Sequence, residues 1–180
     1  MPEFKVLGIS GSLREGSFNT KLLKAAIASF DGESSEIADL NLPLYDGDIE
    51  AEGFPEAVTK LSAQIANADA IIIANPEYNK GISGVLKNAL DWVSRTPDNG
   101  FRGKPTLVVG AAAGRAGGET SYYMTRHCLA PLGAAVLATP AVLVAGPQSE
   151  FNEDGTLKSE MYQKNLDSAV AALREAVSKR

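Results

Sequence analysis

The chain has 180 residues, 44% apolar and 22% charged, with 22 acidic against 17 basic side chains and a single histidine. That length suits one domain with a full core, while a net charge of −5 without any Lys/Arg run argues against a nucleic-acid surface. One cysteine, Cys128, excludes an internal disulfide framework and fits a reducing compartment, one histidine makes no metal cluster, and no apolar run approaches the ~20 residues of a membrane span.

At the N-terminus, Met1-Pro2-Glu3-Phe4-Lys5 lacks a basic then apolar leader pattern, so a cytoplasmic protein is expected. Residues 5–9 are apolar enough for a buried first strand, and residues 19–30 read as a helix. Between them a Gly/Ser-rich turn joins strand to helix. Such a turn aims backbone N–H groups and the positive end of the helix dipole at one spot. Ser10, Ser12, Arg14, Ser17, Asn19 and Thr20 gather there, a set of donors that suits a phosphate. Gly11 and Gly16 have the spacing of a P-loop, but Ser17-Phe18 replaces its Gly-Lys-Ser/Thr end. The dinucleotide fingerprint fails on glycine spacing, with Asp39 the nearest acid for a ribose. A terminal phosphate monoester fits the hydroxyls and the arginine best. Taken singly, Ser17 and Asn19 also read as helix caps.

Residues 35–39 form a second strand. The acidic, turn-rich stretch 41–54 reads as a surface excursion. A helix over 55–67 places Val58, Leu61, Ile65 and Ala68 on one face. The third strand, 70–75, is almost wholly apolar. It leads into Pro76-Glu77-Tyr78-Asn79, a tight turn whose N–H groups suit the edge of a planar heterocycle; an ordinary surface turn with Tyr78 half-buried is the other reading. A helix over 84–95 follows, with Leu86, Leu90, Trp92 and Val93 as core. The strand 106–111, the glycine-rich loop 112–118 and a helix over 118–131 come next. His127 and Cys128 on that helix read as packed side chains. Tyr122, Tyr123 and Arg126 suit either a subunit interface or local packing. A fifth strand over 135–139, a loose stretch over 145–156 and a helix over 159–178, with Met161, Leu166, Val170, Leu173 and Val177 inward, complete the chain.

Five β–α units with both-face apolar strands predict one doubly wound α/β domain over 1–180. Ligands in such sheets sit beyond the carboxyl ends of the strands, which selects the loops 10–19, 76–83 and 112–118.

Gly11-Ser12-Leu13-Arg14, Gly16-Ser17 and Asn19 after the first strand, with Pro76-Glu77-Tyr78-Asn79 and Leu86-Lys87-Asn88-Ala89-Leu90-Asp91-Trp92 after the third, resemble the NADPH-dependent FMN reductase family, nearest its bacterial chromate/quinone reductases. The resemblance covers nearly the whole chain. It implies a flavodoxin-like five-stranded parallel sheet in the order 2-1-3-4-5, helices on both faces, and non-covalent FMN reduced by NADPH or NADH. It implies that Ser10, Ser12, Arg14, Ser17 and Asn19, with Thr20 beside them, hold the FMN phosphate. Pro76, Glu77, Tyr78 and Asn79 then line the isoalloxazine, largely through backbone atoms. In the third loop Ala113, Gly114 and Gly117 fall where the backbone approaches the ring, with alanines where the family commonly has hydroxyl residues. Arg115 reads either as a contact to the phosphates of the nicotinamide nucleotide or as a solvated arginine.

No side chain is expected to carry the reaction, because flavin N5 takes the hydride in a ping-pong cycle. The acceptor is a quinone or a similar small molecule (chromate, azo compound, free flavin), and a homodimer or homotetramer is implied, without metal, nucleic-acid or membrane partners. The rival readings are a flavodoxin-type electron carrier and an FMN-binding redox regulator. Arg14, Lys80 and Arg115 near the three loops favour a small anionic partner such as NADPH over a docking protein.

Overall fold

The computed structural model describes residues 4–31 and 34–180; the leader reading at residues 1–3 lies outside them. Strands β1 (Lys5–Ser10), β2 (Ser34–Ala38), β3 (Ala70–Ala74) and β4 (Pro105–Ala112) run parallel. The order across the sheet is β2-β1-β3-β4, with β5 (Ala135–Val136) beyond β4, as the resemblance implies.

The far edge departs from the expected strand over 135–139. It is split into β5 (Ala135–Val136), beside Pro105 and Thr106, and β6 (Val142–Ala145), beside Val109 to Ala112. Leu137 N still donates to Thr106 O at 3.0 Å. Beyond it comes Pro140, which has no N–H to give a ladder. The chain therefore bulges and re-enters at Val142, and the ladder reaches the carboxyl end of β4. That shift brings residues 146–148 to the ligand end of the sheet.

Alternation along the strands builds two cores. Val6, Ile72, Leu107 and Val109 face α1 (Phe18–Phe30) and α6 (Glu160–Ser178), where Leu22, Leu23, Phe30, Leu166, Val170 and Leu173 meet them. Leu7, Ile9, Ile71, Ile73 and Val108 face the other way. Their partners are Leu61 and Ile65 on α3 (Glu56–Asn67), Leu86, Leu90 and Val93 on α4 (Gly84–Arg95), and Leu129 on α5 (Glu119–Leu129). Ile71, Ile72 and Ile73 are fully buried, each stabilising the fold by roughly 1.5–3 kcal/mol. Met161, expected inward, is instead 59% exposed in the first turn of α6. Ser17, Ser83 and Ser159 cap α1, α4 and α6 by accepting an N–H from within the first turn. At the opposite end of the sheet the buried Lys104 ammonium donates to Ile65 O (2.7 Å), Ala66 O (2.8 Å) and Ala68 O, closing the C-terminus of α3.

The 41–54 excursion contains a short helix, α2 (Gly47–Glu52), and is fastened to α4. Trp92 Nε1 and Asn88 Nδ2 both donate to Pro43 O, at 2.8 and 2.9 Å, and Asn88 Oδ1 accepts Tyr45 N–H. Trp92 is fully buried, with the Tyr45 ring against its edge. Among the described residues no helix is long and apolar enough to cross a membrane.

Candidate functional site

The carboxyl ends of β1, β3, β4 and β6 open into a cleft of about 240 Å³. Ser12, Arg14, Ser17 and Asn19 line it from the first loop, Pro76, Glu77 and Tyr78 from the second, and Ala113 from the third. Phe18, Ala111, Ala112, Pro147 and Gln148 complete the wall; none of these was singled out from the sequence. For Pro147 and Gln148 the missed signal was the apolar run before Gly146-Pro147. Reading that run as a strand would have put the following turn at the site. A roomier groove of about 460 Å³ runs past Lys5, Glu36, Lys60 and Gln64. There Gln64 spends its amide on Glu36 at 2.6 Å, and the groove lies at the amino ends of the strands, away from the ligand end.

At one end of the cleft stands the first turn of α1. Its leading N–H groups, Phe18 and Asn19, have no acceptor within the helix. Ser17 Oγ accepts Thr20 N–H at 3.3 Å and Ser12 Oγ accepts Arg14 N–H at 3.4 Å. Each hydroxyl therefore keeps its own proton to donate, and the exposed Arg14 guanidinium stands at the rim. Donors, a cation and a helix N-terminus thus stand together, a set that suits an anion.

The remaining candidates of this loop do other work. Asn19 is buried and both ends of its carboxamide are spent on Ala111: Nδ2 donates to the carbonyl and Oδ1 accepts the N–H, each at 2.9 Å. What Asn19 offers an anion is its backbone N–H. Ser10 Oγ and Thr20 Oγ1 bond each other at 2.8 Å, tying the end of β1 to α1 behind the cleft.

The other end of the cleft is built from backbone. Tyr78 and Gly81 exchange both N–H···O bonds (3.2 and 2.9 Å) around Asn79 and Lys80, whose φ values are +49° and +62°. This is a two-residue turn of the primed kind, which asparagine tolerates well. A buried polar network fixes the turn to the helices behind it. Asn75 Nδ2 donates to Ser121 Oγ (2.6 Å) and Pro76 O (2.9 Å), and Asn75 Oδ1 accepts from Ser83 Oγ (2.8 Å). Ser121 Oγ in turn donates to Pro76 O at 2.8 Å. Asn75, Ser83 and Ser121 escaped sequence reasoning because each looks like an ordinary loop or helix polar residue.

Glu77 Oε2 accepts Ser121 N–H at 3.1 Å, and Oε1 lies 3.2 Å from Lys80 Nζ. Burial pushes its carboxyl up. The Ser121 N–H, the Lys80 ammonium and the Thr120 N–H outweigh that and hold it below the usual carboxylate range. Gly118, the N-cap of α5, has no side chain to serve the helix, so Glu77 does so from the neighbouring loop.

In the third loop Gly114 and Arg115 are exposed beside the cleft. Gly117 faces away from it. Its φ is +59°, and a Cβ there would stand 2.8 Å from the Leu143 carbonyl carbon and oxygen. β6 therefore demands glycine at 117. His127 and Cys128 flank a separate groove between α4 and α5. Burial pushes the Cys128 thiol up, with Asp91 adding to it and Lys87 opposing. Reaction with a disulfide reagent at pH 8 is therefore expected to run slower than for free cysteine; a rate equal to or faster than the free thiol's would refute that.

Residues 4–148 match the family model described as NADPH-dependent FMN reductase. The chain is 43% identical over 174 residues to an NAD(P)H-dependent FMN reductase of Pseudomonas aeruginosa, covering 96% of this chain and 94% of that one. It is 43% identical over 144 residues to a quinone reductase of Escherichia coli, covering 77% and 76%. Among solved structures, a flavoenzyme NAD(P)H:(acceptor) oxidoreductase of Paracoccus denitrificans superposes with a TM-score of 0.85 at 30% identity, covering 98% of both chains.

Proposed function

The chain belongs to the NADPH-dependent FMN reductase family, and from that footing we propose that it oxidises NAD(P)H and passes the electrons by a ping-pong cycle to quinones or similar small acceptors. The observation that carries this reading is the two-ended cleft, with an anion pole at the start of α1 and a backbone-lined notch between 76–78 and 111–113. The donor set fits FMN. Phe18 and Asn19 N–H, the Ser12 and Ser17 hydroxyls and Arg14 suit its phosphate, which offers acceptors and no donors. The notch offers peptide groups and small side chains (Ala111, Ala112, Ala113) to a flat ring.

Bound there, FMN supplies hydride acceptance at N5 and two-electron donation to the second substrate. The protein's part is to anchor, orient and polarise. Ser10–Thr20 and Asn19–Ala111 lock the anion pole to the sheet, and the Asn75–Ser121–Ser83 network holds the ring-side turn. Nicotinamide and quinone take the same open face in turn, and the exposed Arg115 of the third loop is a cation for the nucleotide's phosphates. The quinone acceptor has its support in the quinone reductase of Escherichia coli that the chain resembles. A homodimer or homotetramer in the cytoplasm completes the reading. The exposed Tyr123 and Met124 on α5 and the single cysteine support it.

The decisive experiment is anaerobic mixing of the FMN-loaded protein with NADPH, then with a quinone. Rapid bleaching and rapid recovery of the flavin band are expected, with parallel lines in double-reciprocal plots; a slow response to both NADPH and NADH would instead mark an electron carrier. Arg14→Gln is expected to weaken FMN binding about tenfold, the ~1.4 kcal/mol of one exposed charge-assisted contact. An unchanged Kd would remove Arg14 from the anion pole.

A further inference from the structure

Glu77 is a cleft residue whose side chain the hydride cycle leaves without a role. Its side chain is only 13% exposed, and its carboxylate sits on the N-terminus of α5 through Ser121 N–H. Its partner Lys80 is 77% exposed on the adjoining turn, 3.2 Å away. A largely buried anion, an exposed cation and a helix N-terminus thus meet at the 76–78 end of the cleft. We infer that Glu77 and Lys80 are an opposed pair that sets the reduction potential of the bound flavin, Glu77 lowering it and Lys80 raising it. This rests on the reading above that the FMN ring occupies this end of the cleft.

The physical argument is one of charge. A hydride from NAD(P)H brings two electrons and one proton, leaves NAD(P)⁺, and adds one unit of negative charge to the ring system. A carboxylate held beside the ring disfavours that charge in proportion to its nearness and burial. Glu77 also quenches the partial positive charge at the start of α5, which would otherwise favour it. Lys80 acts in the opposite sense, more weakly, because water screens an exposed ammonium. Holding the flavin at a lower potential leaves a larger fall to a quinone acceptor, so the second half-reaction gains what the first gives up.

The test uses two FMN-loaded variants. Glu77→Gln keeps an oxygen for Ser121 N–H and loses the charge; Lys80→Met loses the cation at a site where little is packed. Anaerobic equilibration with a reference dye at pH 7 reads the potential, and FMN titration of each apoprotein reads the site. Glu77→Gln is expected to shift the equilibrium about tenfold toward reduced flavin, a rise of about 30 mV for a two-electron couple. Lys80→Met should shift it about threefold the other way. Shifts of the same sign in both variants would mean loop damage rather than charge, and potentials equal to the wild type's would mean that neither group feels the ring. Either result overturns the pair while leaving FMN binding intact. A wild-type apoprotein that takes up no FMN overturns the site reading itself, and the pair with it.

Discussion

Gly11→Ala is expected to lower the free energy of unfolding by about 3 kcal/mol and to weaken FMN binding in the protein that still folds. Gly11 leaves β1 with its N–H bonded to Ala74 O at 2.9 Å, so the first loop lies directly on the end of β3. A Cβ at this position would overlap Asn75 Oδ1 and stand 2.9 Å from Ser83 Oγ. Asn75 has nowhere to withdraw. It is 2% exposed, and its carboxamide is already committed to Ser83, Ser121 and Pro76. Overpacking a dense site costs roughly 1–3 kcal/mol, and unpairing a buried polar group adds about 1–3 more. Gly16→Ala is the control, since open space surrounds that position in the same loop; its stability should stay within about 0.5 kcal/mol of the parent. Urea unfolding of both apoproteins, with FMN fluorescence titration, separates them. Equal midpoints for the two variants would mean that the first and second loops do not touch as described.

Asn19→Ala carries the second large loss, again about 3 kcal/mol, and its origin is a notch in the sheet. Asn75 N–H makes the last β3-side bond to β4, to Val109 O at 3.1 Å. Two residues further on, β3 has ended. Ala111 presents its N–H and its carbonyl to that side, and the Asn19 carboxamide answers both, standing where another strand peptide would. Alanine leaves two buried backbone groups unpaired, each costing roughly 1–3 kcal/mol. Asn19→Asp should recover part of the loss below the pKa of the new carboxyl, where the protonated acid both donates to the Ala111 carbonyl and accepts its N–H; the ionised form only accepts and sets a charge against that carbonyl. Hydrogen exchange at the Ala111 amide gives the local readout: strong slowing in the parent, fast exchange in Asn19→Ala. Protection that survives the substitution would count against the notch.

These two residues mark where reading the chain succeeded and where it stopped. The Gly/Ser turn and Pro76–Asn79 led to the family and to the carboxyl end of the sheet, because donor-rich turns and buried strands leave local patterns: donors in one short stretch, apolar runs of strand length. Asn19 lines the cleft as its place in the loop suggests, but its carboxamide is spent on Ala111. A carboxamide two residues from a serine looks like another donor to the anion until β4 is seen behind it. At Gly117 it is the Leu143 backbone that leaves no room for a Cβ, a contact only the fold reveals.

By itself, then, the amino-acid sequence determined the α/β architecture, the strand order through the family it resembles, and the three loops that gather at the carboxyl ends of the strands, with the donor-rich composition of the turn after β1. Each of those depends on neighbours in the chain or on its periodicity. The tertiary structure alone decided the split fifth strand that delivers Pro147 and Gln148, the Asn75–Ser83–Ser121 network, the division of the first loop into donors and struts, and the seat of Glu77 on α5. Those depend on which polar groups are left unpaired where strands end at different heights, a quantity that exists only once residues from β1, β3, β4 and α5 have been brought to the same place.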